Sequence, residues 1–457
     1  MKQLFSIALL SVCSALGAQS IDSLQIGQYR KLLQQDPSFT LRQNAVIGEQ
    51  TLRNRALNHN IQNQVDYFFK YRVDVSGITD QKSSGRCWMF ASFNVLRPNI
   101  IKKYNLSSFD FSQNYLYFWD LFEKSNLFLE NIIRTASKDI NDREVVFYFG
   151  TPVGDGGVWN LFYNVASKYG FVPKQVMPET VHSNNTSQLR SLLNELLRKD
   201  GYLLREEAEK GEKANKLRVR KQQMMGDVYK LLALTLGEPP VNFTWRYKDK
   251  DGKLQTIKST PKEFYKENIP NGFSPDEYIM IMNDPTRPYY QVYDIANYRN
   301  TFEGKNWCYL NLPNDEIKSS ALASIKNNEA MYASCDVGKQ LNRESGIMDP
   351  AMYDYNSLLG IDLNMDKKAR ILTRQSGSSH AMVIMACDTD DNDKPLKWQF
   401  ENSWGANSGH NGYLTFTDAW FDEYMFRIVI RKEYLSPKAI SALSKKPINL
   451  PPWDYMF

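Results

Sequence analysis

The chain has 457 residues, of which 42% are apolar, 13% aromatic and 23% charged, and its net charge is +5. This composition excludes a disordered chain and a small domain stapled by disulfides, because it supplies enough apolar side chains for an extensive core. The modest charge excludes a protein built around a strongly basic arm, and no interior apolar run is long enough to span a membrane.

The first eighteen residues have the composition of a secretory signal. Lys2 precedes an apolar run over residues 4–12, and small residues follow as far as Ala18. This order predicts a signal peptide over residues 1–18 and a secreted or periplasmic mature protein. Lipidation of Cys13 is the alternative, although Val12 fits poorly as the residue before a lipidated cysteine.

The segment from Gln81 to Trp88 predicts a thiol nucleophile. Cys87 opens a largely apolar run, so we expect it in the first turn of a buried helix whose pattern Pro98 breaks. The unpaired N–H groups and the dipole at a helix N-terminus stabilise an anion and favour the thiolate. Gln81 can add its side-chain amide to the Cys87 backbone N–H, and together they can hold an oxyanion.

Of the four histidines in the chain, His380 is best placed to serve as a base. It opens an apolar run that indicates a buried strand, and a second strand follows and ends at Asn402. The Asn402 amide can accept the imidazole N–H and orient the ring, while the indole of Trp404 can shield that bond from water. Taken singly, each residue has an ordinary alternative: Cys87 as a small core residue, His380 as a polar strand end and Asn402 as a turn cap.

These stretches resemble the papain-type cysteine peptidases, and within them the bleomycin hydrolase and aminopeptidase C family. The similarity rests on SGRCW around Cys87, SHAM at His380 and ENSWG at Asn402, and on further stretches from about residue 40 to the C-terminus, such as DGGVWN at 155–160 and LPPWD at 450–454. Ser84 stands where the general papain pattern has a second cysteine. The separation of Cys87 and His380 also far exceeds the spacing of about 130–150 residues that is usual in papain-like enzymes. The large insertion responsible for this separation is a marker of the bleomycin hydrolase branch.

The resemblance implies an α+β, papain-like fold of two lobes, one helical and one resembling a β-barrel, with a large helical and β-hairpin insertion. After the signal, residues 19–457 would form one peptidase unit with these parts: an N-terminal arm, a helical lobe over about 60–185, the insertion over about 186–300, a β lobe over about 300–435 and a C-terminal arm over 436–457. Leucine periodicity favours helix in the first half of the insertion, and alternation around residues 249–252 favours a hairpin in the second half.

The function implied is a cysteine peptidase, and more narrowly an aminopeptidase acting on peptides, with no metal or organic cofactor. Its expected catalytic residues are Cys87, His380, Asn402 and Gln81. Its expected substrate-binding residues are Gly156, Gly157, Trp404 and Phe457. In the family the C-terminal carboxylate meets the free amine of the substrate, but family tails typically extend further than this one. An endopeptidase of the same mechanism therefore stays open, as do a papain-like binding protein and an acyl transferase.

The resemblance also implies partners. Family members form six-subunit rings around a basic channel, and some bind nucleic acid, so we expect a homohexamer. The basic segment at residues 216–221 indicates a solvated helix face rather than a nucleic-acid site. The family is mostly intracellular, so export would be a departure from it. The cysteines Cys308, Cys335 and Cys387 are expected to be buried free thiols.

Overall fold

The computed structural model of the chain describes residues 20–74 and 77–455. These residues fall into two compact units. One includes the described residues up to Asn60 together with Ala351–Asn364, and the other contains Ile61–Pro350 and the residues from Met365 onward. The predicted signal segment, residues 1–18, and Phe457 lie outside the described residues.

The described residues form helices and strands in comparable number. The helices are, in chain order, α1 Ser23–Gln35, α2 Phe39–Ile47, α3 Leu52–Ala56, α4 His59–Gln64, α5 Cys87–Lys103, α6 Gln113–Arg134, α7 Arg143–Gly150, α8 Trp159–Tyr169, α9 Val181–Asn184, α10 Ser187–Glu209, α11 Ala214–Leu236, α12 Pro261–Asn268, α13 Asn314–Lys326, α14 Tyr355–Leu359, α15 Lys367–Leu372, α16 Asp418–Tyr424 and α17 Pro437–Leu443. The strands are β1 Tyr71–Arg72, β2 Phe243–Lys248, β3 Leu254–Ser259, β4 Tyr278–Met282, β5 Gln291–Ile295, β6 Trp307–Asn311, β7 Met331–Cys335, β8 Leu341–Asn342, β9 Ile347–Met348, β10 His380–Thr389, β11 Pro395–Glu401, β12 Tyr413–Thr417, β13 Met425–Arg431 and β14 Ile448–Leu450.

The smaller unit is made of short helices with local stabilisation. Helix α1 begins with a capping box, in which Asp22 and Gln25 each accept the backbone N–H of the other. A backbone bond of 2.8 Å from the Asp354 N–H to the Ala56 carbonyl joins the two chain segments of the unit. All the residues of the predicted site that the structure describes belong to the larger unit.

The larger unit is built on a mixed sheet. Its strands lie in the order β14, β5, β6, β4, β13, β7, β10, β11, β12, β9 and β8, and β1 also pairs with β10. Strand β10 pairs antiparallel with β7 on one side and with β11 on the other. Ala381 and Val383 of β10 enter one apolar cluster, while Met382 and Ile384 enter another. Because both faces of this strand are buried, its sequence is a continuous apolar run.

Helix α5 packs against β10 and β7 and is buried on nearly every side. The sequence predicts that its pattern breaks at Pro98, but the helix continues through this proline to Lys103. A proline inside a helix costs about 3 kcal/mol, because it removes a backbone N–H and crowds the preceding turn. Ile100 and Ile101 beyond the proline are buried in the core, and their burial offsets this cost.

The region predicted as an insertion, about residues 186–300, shares the core of the helical part. Helices α10 and α11 pack against each other and against α6. Leucines of these three helices belong to one cluster: Leu121, Leu193, Leu197 and Leu232. Strands β2 and β3 form the antiparallel hairpin that the sequence predicts. The boundaries proposed for the lobes stay a prediction.

One predicted feature of the cysteines is wrong. Cys335 and Cys387 are buried free thiols as expected, but Cys308 is exposed. The side chain of Cys308 points outward from β6, where it lines a surface cavity rather than the core. Within residues 20–74 and 77–455, none of the helices is both long and apolar enough to cross a membrane.

Candidate active site

Cys87 is the first residue of α5, so its thiol lies at the N-terminus of a buried helix. Burial raises the pKa of the Cys87 thiol, while the backbone N–H groups of Ala381, Trp88 and Cys87 itself act in the opposite direction. These three N–H groups surround the sulfur and would stabilise a thiolate. Ala381 is the residue next to His380, so the sulfur lies against the start of β10.

His380 and Asn402 meet because of the pairing of β10 with β11. Val383 lies opposite Glu401 in this pairing, and Asn402 directly follows β11. The Asn402 Oδ1 is 2.8 Å from the His380 Nε2. The same Oδ1 accepts the Ser403 backbone N–H at 2.8 Å, which fixes the orientation of the amide. Because a carbonyl oxygen can only accept, the ring proton lies on Nε2 and Nδ1 is the basic nitrogen.

Trp404 covers the imidazole. Its ring is stacked on that of His380 with centroids 4.8 Å apart, and Arg343 lies 5.0 Å from the Trp404 ring. Burial lowers the pKa of His380 to about 4; the hydrogen bond to Asn402 opposes this shift, and the Arg343 charge adds to it. Charging His380 alone, or Cys87 alone, is therefore unfavourable. A thiolate and an imidazolium would stabilise each other in this site.

Gln81 is held against the residue that follows Asn402. Its backbone N–H donates to the Ser403 carbonyl at 2.9 Å, and its Oε1 accepts the Ser403 hydroxyl at 2.7 Å. Its Nε2 donates to the Ser84 carbonyl at 2.6 Å. An amide nitrogen carries two hydrogens, so the second N–H can donate to a substrate oxygen. These contacts bring Gln81, Cys87, His380 and Asn402 into one site.

Gly156 and Gly157 lie beside the segment that carries the thiol. A Cβ added to Gly157 would be 2.7 Å from the Trp88 ring, whereas one added to Gly156 would meet nothing within 4 Å. Trp88 cannot move easily, because it is fully buried and its indole N–H donates to the Asp155 carbonyl at 2.7 Å. Position 157 therefore requires glycine for a close approach.

Asp155 supports the site, although the sequence did not identify it as a site residue. Its carboxylate accepts the Gly85 N–H at 3.1 Å and the Tyr117 hydroxyl at 2.6 Å, and it also bonds the Thr186 hydroxyl. Burial acts to raise the pKa of Asp155, but the hydrogen bonds from Thr186, Tyr117 and Gly85 outweigh it and lower the pKa. An acidic residue before two glycines is typical of an ordinary turn, so this pattern alone did not indicate a role for Asp155. The one signal in the sequence was its place directly before Gly156 and Gly157, which are predicted to bind substrate.

A buried ion pair joins the two elements that carry the site. Arg97 lies on α5, Glu401 ends β11, and their side chains are 2% and 0% exposed. The Arg97 guanidinium contacts the Glu401 carboxylate and donates to the Gly77 carbonyl at 2.8 Å. Burial raises the pKa of Glu401 to about 7, against the opposing effect of Arg97. Since Glu401 directly precedes Asn402, the pair connects the helix of Cys87 to the strand end that orients His380.

The described ranges, 20–74 and 77–455, contain no group of three or more His, Cys, Asp or Glu side chains that could hold a metal ion.

Comparisons with known proteins agree with this architecture. Residues 20–457 match the peptidase C1-like family. The chain is 38% identical over 400 residues to aminopeptidase C of Streptococcus thermophilus, a match covering 86% of this chain and 89% of that protein. It is 36% identical over 452 residues to bleomycin hydrolase of Homo sapiens, covering 96% and 99%. The crystal structure of PepW from Lactobacillus rhamnosis HN001, 37% identical, superposes with a TM-score of 0.92 over 96% of this chain and 99% of that one.

A mixed sheet behind a central helix that begins at a cysteine is the architecture of a papain-like thiol peptidase. The chain belongs to the peptidase C1-like family, and it is a cysteine-type peptidase. The predicted α+β, papain-like fold class is confirmed by the superposition along nearly the whole chain.

The prediction of a secreted or periplasmic protein is wrong. The aminopeptidase C and bleomycin hydrolase relatives are cytosolic enzymes. The prediction depended only on the composition of residues 1–18, a lysine ahead of an apolar run, and composition alone does not separate a signal from other apolar N-terminal segments. The alternative, a lipidated Cys13, depended on the same residues and is wrong for the same reason.

We predict that Gly157→Ala destabilises the protein and that Gly156→Ala does not. The added methyl at 157 has to displace the pinned Trp88 ring, and overpacking of this kind costs about 1–3 kcal/mol. Urea unfolding should give that loss for Gly157→Ala and a change of less than about 0.5 kcal/mol for Gly156→Ala. Equal free energies of unfolding for the two variants would contradict the packing described here.

Proposed function

We propose that this cysteine peptidase removes residues from the N-termini of peptides, with Cys87 as the nucleophile and His380 as the general acid and base. Asn402 orients the imidazole, and Gln81 joins the Cys87 backbone N–H in holding the oxyanion. The observation that carries the proposal is the 2.8 Å contact between the His380 Nε2 and the Asn402 Oδ1, beside a thiol at a helix N-terminus. This contact supports His380 as a base that accepts a proton at Nδ1.

Acylation begins with proton transfer from the Cys87 thiol to the His380 Nδ1. The thiolate then attacks the peptide carbonyl, so a carbon–sulfur bond forms and the carbonyl oxygen becomes an oxyanion. The Gln81 Nε2 and the Cys87 N–H donate to that oxygen, where a preorganised donor is worth about 10²–10³ in rate. The imidazolium protonates the leaving nitrogen as the carbon–nitrogen bond breaks, which leaves a thioester and a free amine.

Deacylation repeats these steps with water. His380 accepts a proton from water at Nδ1, and the hydroxide attacks the thioester carbon. The tetrahedral intermediate collapses with loss of the Cys87 sulfur, which recovers its proton from the imidazolium, and the carboxylic acid leaves.

The aminopeptidase mode is supported by the relatives named aminopeptidase C and by how the C-terminal segment is held. Strand β14 pairs parallel with β5. Asp454 forms a nearly buried ion pair with Arg287, and the Tyr455 hydroxyl contacts Thr286. These contacts hold the C-terminal segment in place as far as Tyr455. We propose that the Phe457 carboxylate binds the α-ammonium group of the substrate.

The substrate would lie along the residues nearest the thiol. Gly156 is exposed and has open space around its Cα, which suits backbone pairing with an extended peptide. Gly157 lies against the ring of Trp88, the residue after Cys87, and Trp404 is stacked on the imidazole. We therefore propose Gly156, Gly157 and Trp404 as substrate-binding residues.

A homohexamer is the assembly that the family resemblance suggests. Helix α1 supports an assembly of some kind, because it has no buried residue and leaves Leu24 and Leu32 76% and 62% exposed. Binding of nucleic acid has less support. In the basic segment at 216–221, Arg218 and Lys221 both pair with Glu130, which neutralises part of its charge.

We predict a mass six times that of one chain in light scattering at micromolar concentration. A monomeric mass under those conditions would contradict the assembly and leave the peptidase mechanism untouched. Leu24→Glu combined with Leu32→Glu would serve as the matched variant, because charges on an apolar interface weaken association while α1 stays helical.

We predict that Cys87→Ala abolishes peptide hydrolysis without loss of folded structure, since the sulfur is the atom that attacks. Cys308→Ala is the matched control and should retain full turnover. Gln81→Ala should lower turnover by about 10²–10³, and Asn402→Ala should lower turnover while Cys87 still reacts with iodoacetamide. The measurements are steady-state kinetics and far-UV circular dichroism, and residual turnover in Cys87→Ala would overturn the mechanism.

We predict that peptides with a free N-terminus are shortened stepwise and that their N-acetylated counterparts resist. The reason is that an acetylated amine carries no charge for the C-terminal carboxylate to bind. The measurement is digestion of matched peptides followed by mass spectrometry of the products. Efficient internal cleavage of the acetylated peptide would indicate an endopeptidase of the same mechanism.

A further inference from the structure

The turn from Gln81 to Cys87 sets the distance between the proposed oxyanion donor and the nucleophile. Cys87 is a free cysteine, so no disulfide holds this turn and weaker contacts have to fix it. Ser84, in the middle of the turn, contacts Gln81 twice. Its carbonyl accepts the Gln81 Nε2 at 2.6 Å, and its hydroxyl donates to the Gln81 carbonyl at 2.6 Å. The position of the Gln81 amide therefore depends on how Ser84 is held.

Arg86 holds Ser84 in place. The Arg86 side chain is fully buried, and its Nε donates to the Ser84 Oγ at 3.1 Å. Its two terminal nitrogens lie 3.1 and 2.9 Å from the two carboxylate oxygens of Glu179. The ring centroids of Phe90 and Tyr117 each lie 5.3 Å from the guanidinium carbon. These contacts on several sides fix the guanidinium.

The chemistry of these groups gives their hydrogen bonds one direction. A guanidinium can only donate, so the Ser84 hydroxyl accepts from Arg86 and its single hydrogen is left for the Gln81 carbonyl. Without Arg86 the hydroxyl would be free to rotate and to bond elsewhere. Arg86, Ser84 and Gln81 thus form a chain in which each hydrogen bond strengthens the next.

The contacts of Arg86 lead to the oxyanion donor and not to the nucleophile. Arg86 directly precedes Cys87 in the chain, but its charge is neutralised by Glu179 and its Nε donates to Ser84. Burial and three backbone N–H groups account for the shift in the pKa of the Cys87 thiol. A role for Arg86 in activating the thiol therefore has no support in the geometry.

We propose that Arg86 is a positioning residue that acts through Ser84 on Gln81 and holds the Gln81 amide where it can donate to the oxyanion. This role depends on the proposed function, in which Gln81 is the oxyanion donor. Such a donor has to be held to within about 0.5 Å of its working position. Arg86 supplies that restraint on one side of the amide, and Ser403 supplies it on the other through the Gln81 Oε1.

The test compares turnover with thiol reactivity in Arg86→Met. Hydrolysis of a short peptide with a free N-terminus passes through an oxyanion, whereas alkylation of Cys87 by iodoacetamide is a displacement at a saturated carbon and forms none. Arg86→Met should lower kcat by about tenfold, less than the factor of about 10²–10³ for Gln81→Ala, because Ser403 still holds the amide. The rate of Cys87 alkylation, followed by peptide mass spectrometry, should change by less than about twofold.

A double variant tests whether Arg86 acts through Gln81. In the Gln81→Ala background, Arg86→Met should not lower kcat further, because the amide that it positions is gone, whereas independent losses would multiply. Arg205→Met is the matched control and should retain full turnover. Arg205 is also buried, and its guanidinium donates to the Thr135 and Lys138 carbonyls, which lie outside the proposed site.

Unchanged kcat in Arg86→Met, an equal fall in Cys87 alkylation, or multiplied losses in the double variant would refute the positioning role. Full turnover in Gln81→Ala alone would refute it too, and only that result would also remove Gln81 from the proposed function.

Arg86→Met leaves Glu179 without its counter-charge, so circular dichroism has to show that the variant folds. If it does not fold, Ser84→Ala takes its place, because this change removes the hydroxyl between Arg86 and Gln81 and alters no charge. Ser84→Ala should also lower kcat, leave Cys87 alkylation unchanged and cause no further loss in the Gln81→Ala background. Any other pattern in Ser84→Ala would refute the proposal.

Discussion

The buried contact between Arg97 and Glu401 is the interaction on which the geometry of the site depends. The thiol and the imidazole lie on different elements, and a catalytic pair has to be held to within about 0.5 Å. Arg97 is on the helix that Cys87 opens, and Glu401 is the last residue of the strand before Asn402. Removing one partner of a buried pair typically costs about 3–5 kcal/mol. The Arg97–Glu401 pair therefore holds helix α5 and strand β11 in one relative position.

A second set of contacts works at shorter range around the thiol. Ser403 accepts one hydrogen bond from the Gln81 backbone N–H, and it donates one to the Gln81 side chain and one to Asn402. Gln81, the proposed oxyanion donor, and Asn402, the proposed orienter of the imidazole, therefore share one neighbour. On the other side, Asp155 holds the Gly85 N–H and the Trp88 indole. Because Gln81, His380 and Asn402 are buried, their fixed dipoles are weakly screened by water, and such interactions are strongest in surroundings of this kind.

Features encoded by neighbouring residues could be predicted from the sequence, and features that depend on distant pairing could not. The helix of Cys87, the strand of His380 and the β2–β3 hairpin follow from local periodicity and turn residues. Arg97 is a charge within an apolar pattern, and nothing near it identifies Glu401 as its partner. The continuation of α5 past Pro98 depends on core contacts of Ile100 and Ile101, and the exposure of Cys308 depends on which strands flank β6.

The order of the site residues along the chain has a consequence for biosynthesis. Gln81 and Cys87 leave the ribosome long before the β10–β11 hairpin that carries His380 and Asn402. Until that hairpin forms, Cys87 lacks its proposed base, His380. Arg97 likewise lacks its partner Glu401. The proposed Cys87–His380 pair is therefore assembled only in the last stage of folding, after most of the chain has been synthesised.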